Sequence, residues 1–359
     1  MPTTVKRPPE PRAAISRMHP YEWEPPSASI AREAGVPEDQ AVRFDTNTFP
    51  WPGARLDALP PEPLNEYPDT SYASLTEAIA QYVDVPTDRI TVGAGADEIL
   101  DLIAKSYIDD SARVVVSHPS YPMFRILTEM AGGSIDEVRA IDLHLDRSKF
   151  LEQARGARLT WFCNPNNPTG ELLPLDFVEE VAVATDGVLV VDEAYFETSG
   201  GVTASPLIDR IPNVVVVRTL SKAFGLAGVR VGYALAGAAI SDALRKVRPP
   251  GSISVVSAAL GAQALSDVSG MRQRVKQVMA ERTRLRRGLQ ALDLEVRDSA
   301  ANFVLVHTGR SAAPALLQKG LVVRTFPATS VLAEYIRVTV RRPEENDRLI
   351  AALQAGPRS

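Results

Sequence analysis

The sequence predicts an α/β protein built on a mainly parallel sheet that is sandwiched by helices, with a smaller α+β domain after it. Three observations support this prediction: apolar runs without polar alternation, helical segments between those runs, and small-residue or Asn-rich loops directly after them. The runs at 188–191 and 214–217 contain only valine and leucine. Such runs are typical of strands buried on both faces, as in parallel sheets covered by helices.

Strands and helices alternate through the first two thirds of the chain. Residues 1 to about 65 are proline-rich, with extended connections at 24–26 and 59–63, and are poor in periodicity. After them we expect helices over 71–83, 96–108, 123–130 and 175–184, and strands over 90–92, 113–117, 159–163, 188–191 and 214–218.

The pattern changes after about residue 240. A long charged helix over 268–292 precedes shorter strands near 303–306, 321–324 and 335–340 and a last helix over 344–353. We therefore expect an N-terminal arm (1–45) that joins the small domain, a large domain (46–245) and a small C-terminal domain (246–359).

Composition excludes several classes of function. The 359-residue chain carries a formal net charge of −5, so it has no basic footprint for nucleic acid. Its single cysteine, Cys163, cannot form an intrachain disulfide, which favours a reducing compartment. The first 12 residues lack the apolar core of a secretory signal, and no apolar stretch approaches the roughly 20 residues that cross a bilayer. We expect a cytoplasmic protein.

A glycine turn follows the strand predicted at 90–92. Gly93 and Gly95 free the backbone to approach a ligand, and the N–H groups of Ala96 and Asp97 would face an anion at the start of a helix. A tight turn in which Asp97 caps the helix explains the same residues. A dinucleotide fingerprint requires a small residue at position 98, where the chain has Glu98, which disfavours a nicotinamide site.

Two further strands end in polar residues. The segment CNPNNPTG at 163–170 holds its asparagines in a backbone fixed by prolines, which suits either a rigid turn or a binding site at the carboxyl end of a strand. Asp192 ends an otherwise uncharged strand, where a carboxylate is costly unless a cation or a strong donor pairs with it. The alternative for Asp192 is a cap of the next loop.

The segment RTLSKAFGLAGVR at 218–230 is the most informative one. Lys222 could form a Schiff base while Ser221 and Arg230 hold a phosphate. An anion-binding turn, a fixed asparagine, a carboxylate and an amine at successive strand ends together match the needs of pyridoxal 5′-phosphate.

On these segments the chain resembles the fold-type I pyridoxal-phosphate aminotransferases (class II), and within them the histidinol-phosphate aminotransferase family. The resemblance runs from His19-Pro-Tyr21 to the last strand and is strongest at 164–170, 192–195 and 218–230. It implies a fold-type I large domain and transamination between L-histidinol phosphate and 2-oxoglutarate, in histidine biosynthesis.

The resemblance also implies roles for individual residues. Lys222 would bind the cofactor covalently and move the proton, Asp192 would contact the ring nitrogen, and Tyr195 with Asn167 would contact the ring oxygen. The phosphate would be bound by Ser221, Arg230 and the backbone of Ala96 and Asp97. Tyr121 would stack on the ring, and Tyr67 would reach the cofactor phosphate of a partner subunit, which implies a homodimer.

Substrate binding is implied for Arg337, because a bidentate arginine suits a carboxylate. By the same resemblance the pocket would also be lined by Tyr21, Asn47, Asn302 and a second arginine, Arg324. No metal is implied.

Two departures from the family pattern lie near the site. The chain reads Asp45-Thr-Asn-Thr-Phe-Pro50 where the family has an Asn-Glu-Asn-like stretch, and Ala96 stands where a serine is usual. The first departure makes substrate identity the open question. An aromatic or other amino-acid aminotransferase and a phospho-amino-acid decarboxylase of the same fold remain alternatives, as does a non-catalytic ligand sensor.

Overall fold

The computed structural model describes residues 10–18, 21, 25–54 and 64–356. His19-Pro20, Glu24 and the proline-rich stretch at 59–63 lie outside the described residues. Within them the helices are α1 (Ala13–Arg17), α2 (Ser27–Ala34), α3 (Ala73–Val83), α4 (Ala96–Tyr107), α5 (Pro122–Ala131), α6 (Arg147–Ala154), α7 (Leu175–Ala184), α8 (Phe196–Ser199), α9 (Ala238–Val247), α10 (Val255–Ser266), α11 (Val268–Gln290), α12 (Ala312–Leu317) and α13 (Pro343–Gln354).

The described residues also form twelve strands. They are β1 (Val42–Arg43), β2 (Ile90–Gly93), β3 (Arg113–His118), β4 (Ser134–Arg139), β5 (Leu159–Cys163), β6 (Val188–Asp192), β7 (Val214–Thr219), β8 (Gly232–Ala236), β9 (Glu295–Val296), β10 (Phe303–His307), β11 (Leu321–Val322) and β12 (Tyr335–Thr339).

A seven-stranded sheet forms the main layer, in the order β2-β8-β7-β6-β5-β3-β4. The strands from β7 to β4 pair in parallel, and β8 pairs antiparallel with both β7 and β2. Since β8 is reversed relative to both neighbours, β2 runs in the same direction as β7. The carboxyl ends of β2, β7, β6, β5 and β3 therefore meet at one edge of the sheet.

The valine-rich strands are buried on both faces because alternate side chains enter two different cores. On β7, Val214 and Val216 join one hydrophobic cluster, whereas Val215 and Val217 join the other. Val114 and Val115 of β3 divide in the same way. This two-sided burial confirms the predicted sheet covered by helices.

A smaller layer follows the large sheet. β12, β10 and β9 form an antiparallel three-stranded sheet, and β1 pairs in parallel with β11. The β1–β11 pair joins the N-terminal segment to the C-terminal part. No helix among the described ranges is both long and apolar enough to cross a membrane.

Some elements were not predicted. Strand β8 is rich in glycine and alanine, which have low strand propensity, and it exists because β7 and β2 pair with it on both sides. Helix α10 is apolar over most of its surface, so it has no helical periodicity to detect.

Candidate active site

The candidate site lies where the carboxyl ends of the parallel strands meet. Asn167 follows β5, Asp192 ends β6 and Lys222 follows β7, and these three strands are adjacent in the sheet. Ala96 begins α4 after β2, and Tyr121 precedes α5 after β3. Topology thus places at one edge the residues that the sequence places after separate strands.

These residues enclose a cavity of about 220 Å³. Twelve of the predicted site residues line it: Tyr21, Asn47, Ala96, Asp97, Tyr121, Asn167, Asp192, Tyr195, Ser221, Lys222, Arg230 and Arg337.

Lys222 is the reactive amine of this cavity. It retains some accessible surface because it faces the cavity, but the surrounding protein desolvates it and lowers the pKa of its ammonium group to about 8. The positive charge of Arg337 lowers the pKa further, whereas Asp97 and Asp192 oppose that effect. Nζ of Lys222 lies 5.5 Å from the centre of the Tyr195 ring. A neutral amine is therefore accessible near neutral pH, as nucleophilic attack on a carbonyl requires.

Asp192 is a buried carboxylate in the same cavity. Its side chain is 3% exposed, and Oδ1 accepts a 3.0 Å hydrogen bond from the backbone N–H of Ala194. Burial raises the pKa of Asp192 to about 7, although that hydrogen bond lowers it. A cationic donor bound in the cavity would favour the ionised form, because opposite charge stabilises a carboxylate at short range.

The start of α4 and two side chains form an anion cradle. Nη1 of Arg230 lies 3.4 Å from Oγ of Ser221, and Nη2 lies 3.2 Å from Oδ2 of Asp97. Gly95 precedes the helix with φ of 85°, and a Cβ there would come within 2.4 Å of Nη2 of Arg230. Glycine is therefore required for the close approach of Arg230 to the helix N-terminus, where backbone N–H groups favour a phosphate.

Tyr121 borders the cradle. Its hydroxyl donates a 2.8 Å hydrogen bond to Oδ1 of Asp97, and its ring packs edge-on against Phe124 with centroids 5.7 Å apart. Burial raises the pKa of the Tyr121 hydroxyl well above its usual value, so the hydroxyl stays protonated and remains a donor.

Arg337 reaches the cavity from β12. Its Nη1 donates a 2.7 Å hydrogen bond to Oδ1 of Asn167, and its Nη2 donates a 2.5 Å hydrogen bond to the backbone oxygen of Asp45. Arg337 is 8% exposed. The small sheet, the Asn167 loop and the N-terminal segment thus converge on one guanidinium group.

Asn47 supports Tyr195. Its Nδ2 donates a 3.0 Å hydrogen bond to the Tyr195 hydroxyl, while Thr339 Oγ1 accepts a bond from the Asn47 backbone N–H and lies 3.2 Å from Oδ1 of Asn47. Asn47 has a left-handed φ of 52°. Burial raises the pKa of the Tyr195 hydroxyl, so this hydroxyl also stays protonated.

Three predicted site residues are outside this lining. Asn302 is fully buried behind Asn47, and its Nδ2 donates a 3.0 Å hydrogen bond to the Asn47 backbone oxygen. Asn302 contacts Asn47 and does not line the cavity, contrary to the expectation for a lining residue. Tyr67 is 96% exposed and does not line the cavity.

Arg324 is the third of these residues. Its backbone pairs with that of Arg337 in an antiparallel bridge, through Arg324 N–H to Arg337 oxygen at 3.1 Å and the reverse bond at 2.9 Å. Directly opposed residues of antiparallel strands project to the same face. Arg324 thus neighbours Arg337 but does not belong to the lining of the cavity among the described residues.

The cavity also contains residues that sequence reasoning missed. Thr219 accepts a hydrogen bond from the Ser221 backbone N–H at 3.1 Å, and the two hydroxyls are 2.9 Å apart. Its place within the 218–230 segment was a usable signal. Thr46, Thr48, Cys163, Ala194 and Ala227 also line the cavity. Thr46 and Thr48 flank Asn47 in the 45–50 stretch, which was a usable signal for both.

A larger cavity of about 570 Å³ lies on the other side of the Asn167 loop, at Gly170. Among its charged lining residues, His144 pairs with Glu171 at 3.0 Å and Arg297 with Glu295 at 3.4 Å. Arg282 donates to the backbone oxygens of Thr198 and Ala301, and Asp298 pairs with Arg286. The chemistry of a buried amine beside a buried carboxylate belongs to the smaller cavity.

Comparisons with known proteins identify the family of this chain. The family model for aminotransferase class I and II matches residues 43–353. A histidinol-phosphate aminotransferase of Ruminiclostridium cellulolyticum is 36% identical over 88% of this chain and 92% of its own. That of Symbiobacterium thermophilum is 35% identical over 96% of this chain and 98% of its own.

A solved structure shares the fold. Histidinol-phosphate aminotransferase from Sinorhizobium meliloti, in complex with pyridoxal 5′-phosphate, superposes with a TM-score of 0.85 and 27% identity, covering 96% of each chain. The match spans both the large sheet and the smaller layer that supplies Arg337. The chain therefore belongs to the class I and II aminotransferase family, with the fold-type I architecture.

Proposed function

We propose that this protein is a pyridoxal-phosphate-dependent aminotransferase that transfers the amino group of L-histidinol phosphate to 2-oxoglutarate, giving imidazole-acetol phosphate and L-glutamate. Family membership supports the reaction class, and relatives of near-equal length with that name support the substrate. The observation that carries the proposal is one cavity holding a desolvated amine, a buried carboxylate and an anion cradle.

The donor set of the cavity fits pyridoxal 5′-phosphate. The cradle of Ser221, Arg230 and the α4 N-terminus would hold the phosphate, and Asp192 would pair with the protonated ring nitrogen. Tyr121 would stack on the ring. When bound, the cofactor supplies an aldehyde and an electron-withdrawing ring.

The ring oxygen would be held by an amide and a hydroxyl. Because Oδ1 of Asn167 already accepts from Arg337, its NH₂ group is the part available as a donor. The Tyr195 hydroxyl accepts from Asn47 and so has its own proton to donate. Both therefore suit an anionic oxygen.

Lys222 would bind the cofactor and move the proton of the reaction. Its amine would take a proton from the substrate carbon and return it, and a pKa of about 8 leaves part of this amine neutral near neutral pH. Asp192 would hold the ring nitrogen in its charged form throughout.

Arg337 would receive the anionic group of the substrate. Tyr21 and Asn47 line the cavity beside it. Asn302 and Arg324 would act on substrate binding through their neighbours, Asn47 and Arg337. An arginine pair in one region suits a phosphate in one half-reaction and a carboxylate in the other.

The proposal extends to assembly and location. The exposure of Tyr67 supports a homodimer in which this tyrosine reaches the partner's cofactor phosphate. We retain the division into an arm (1–45), a large domain (46–245) and a small domain (246–359), and a cytoplasmic location.

An amino-donor screen tests the substrate. The purified, cofactor-loaded protein is given 2-oxoglutarate with L-histidinol phosphate, L-phenylalanine or L-threonine phosphate, and both glutamate formation and carbon dioxide release are measured. We expect the highest kcat/KM for L-histidinol phosphate and no carbon dioxide. Glutamate formed only from L-phenylalanine would support an aromatic aminotransferase, and carbon dioxide from L-threonine phosphate would support a decarboxylase.

A further inference from the structure

We propose that Arg43 and Asp45 are positioning residues for Arg337, and that this buried ion pair sets the affinity of the cavity for carboxylate substrates. The inference rests on the role proposed for Arg337. Neither Arg43 nor Asp45 lines the cavity among the described residues, so both act through the Asp45 backbone.

The ion pair has the geometry of a strong interaction. Nε and Nη2 of Arg43 donate to Oδ1 and Oδ2 of Asp45, both at 2.8 Å. The Asp45 carboxylate is almost completely buried, at 3% side-chain exposure, and Arg43 is mostly buried at 18%. A bidentate pair in this environment fixes both partners in orientation, and loss of one partner leaves the other charge uncompensated.

The backbone of Asp45 connects this pair to the cavity. Its carbonyl oxygen accepts the 2.5 Å hydrogen bond from Nη2 of Arg337. Residue 45 follows β1, and the backbone on either side of it is held by hydrogen bonds, from Phe44 N–H to the Val322 oxygen at 2.7 Å and from Asn47 N–H to Oγ1 of Thr339 at 2.9 Å. The paired Asp45 side chain adds a restraint on the peptide between these two points. The Asp45 side chain thus helps to orient the acceptor that holds the guanidinium.

Arg43, the other partner of the ion pair, is also held in place. Nη1 of Arg43 donates to the backbone oxygen of Pro25 at 2.9 Å and lies 3.4 Å from Oγ of Ser27, at the start of α2. Arg337 in turn donates to Asn167. Its guanidinium is therefore clamped between the Asn167 loop and an N-terminal segment that Arg43 holds in place.

This arrangement has a consequence for specificity. Asp45 lies in the stretch that departs from the usual family pattern, and it adds a carboxylate whose charge Arg43 neutralises. If the pair is broken, the carbonyl of residue 45 loses one of its restraints, and the orientation of Arg337 toward the anion is less well fixed. Because the bond between an arginine and a carboxylate depends on direction, affinity falls while the reacting groups stay in place.

The test is calorimetric titration of the cofactor-loaded protein with glutarate, a dicarboxylate that cannot react. Asp45→Asn and Arg43→Gln should each raise the dissociation constant about three- to tenfold, the value of one hydrogen bond. The double variant should bind glutarate as tightly as either single variant does, because the two substitutions remove the same interaction. Arg337→Gln should weaken binding the most.

Asp136→Asn is the matched control. It removes another carboxylate paired with an arginine, Arg113 at 2.8 Å, outside the cavity lining. Its glutarate affinity should equal that of the unaltered protein. Thermal unfolding and the absorbance of the bound cofactor verify that each variant is folded and loaded, and Arg43→Lys, which keeps the charge but not the fork, should fall between Arg43→Gln and the unaltered protein.

In steady state, Asp45→Asn should raise the KM for 2-oxoglutarate and change kcat less than about twofold, whereas a general loss of structure would lower kcat. Unchanged glutarate affinity in Asp45→Asn and Arg43→Gln would overturn the inference. Additive losses in the double variant, or no loss in Arg337→Gln, would also overturn it. The titration needs no amino donor, so failure of L-histidinol phosphate as a substrate would refute only the proposed function.

Discussion

Asn167 and Arg337 are joined by a 2.7 Å hydrogen bond from Nη1 of the arginine to Oδ1 of the amide. The bond connects the loop after β5 of the large sheet with β12 of the small sheet. It also fixes the direction of the Asn167 amide, since the oxygen faces the arginine and the NH₂ group remains to donate. One contact thus links the region proposed for the cofactor ring to the region proposed for the substrate anion.

The charge of Arg337 should be visible in the titration of Lys222. Burial is the main cause of the lowered pKa of Lys222, and Arg337 is the next. In the protein freed of cofactor, the rate of aldehyde binding should rise with pH and reach half its maximum near pH 8, because only the neutral amine reacts. Arg337→Gln removes a positive charge, so the pKa should rise and the midpoint should move to higher pH.

Stopped-flow absorbance of pyridoxal 5′-phosphate binding across pH 6 to about 11 measures this midpoint, a range that spans the usual and the lowered lysine pKa. Arg139→Gln, a change at an exposed arginine of β4, is the control and should leave the midpoint unchanged. Equal midpoints in the two variants would contradict the proposed coupling.

Asp192→Asn should retain the cofactor but slow the reaction. Loss of a buried charge partner costs about 3–5 kcal/mol. If the ring nitrogen depends on this charge, the amino-donor half-reaction should slow by about 10²- to 10⁴-fold in a single turnover. The exposed Asp186→Asn serves as control and should react at the normal rate. A normal rate in Asp192→Asn would rule out the role of this carboxylate in ring protonation.

Gly95→Ala should weaken cofactor binding. The new methyl group would collide with the guanidinium of Arg230, and alanine would be strained at the positive φ of residue 95. The cradle must therefore shift. We expect the dissociation constant of pyridoxal 5′-phosphate to rise about tenfold or more, from strain of about 1–3 kcal/mol. Gly35→Ala has the same kind of φ but nothing within 4 Å, so its cofactor affinity should not change. Fluorescence titration compares the two variants.

Arg218→Ala should destabilise the fold, although Arg218 does not line the cavity. Arg218 is 4% exposed, its Nε donates to Glu193 at 2.9 Å, and its guanidinium lies 4.1 Å from the centre of the Phe196 ring. Removing one partner of a buried pair costs about 3–5 kcal/mol. Arg210→Ala removes an exposed pair with Glu179 and should cost less than about 1 kcal/mol. Urea unfolding measures the free energy of unfolding of both variants. Equal losses would contradict a larger contribution of the buried pair to stability.

Several elements were predictable because their boundaries are local. Strand 159–163 and helix 175–184 have the predicted bounds, since each is a continuous or periodic apolar segment between turn residues. Strand β8 was missed because its pairing with β7 and β2, rather than its residues, makes it a strand. Element boundaries elsewhere shift by a residue or two at the ends.

The site was predictable where its residues share a motif and follow a strand, as Asp192 and Lys222 do. It was not predictable where the contact depends on tertiary structure. No local signal places the carbonyl of Asp45 on Arg337, 292 positions away, or Asn302 behind Asn47. These contacts form because the N-terminal segment pairs with the C-terminal layer through β1 and β11.

The most direct test of the account is hydride trapping on Lys222. The protein is incubated with pyridoxal 5′-phosphate, reduced with borohydride, digested and mapped by mass spectrometry. We predict one reduced pyridoxyl phosphate group per chain, on the peptide containing Lys222, and none in Lys222→Ala, with Lys105→Ala labelled normally as a control. A chain that gains no mass, or a label on another lysine that persists in Lys222→Ala, would contradict the central claim.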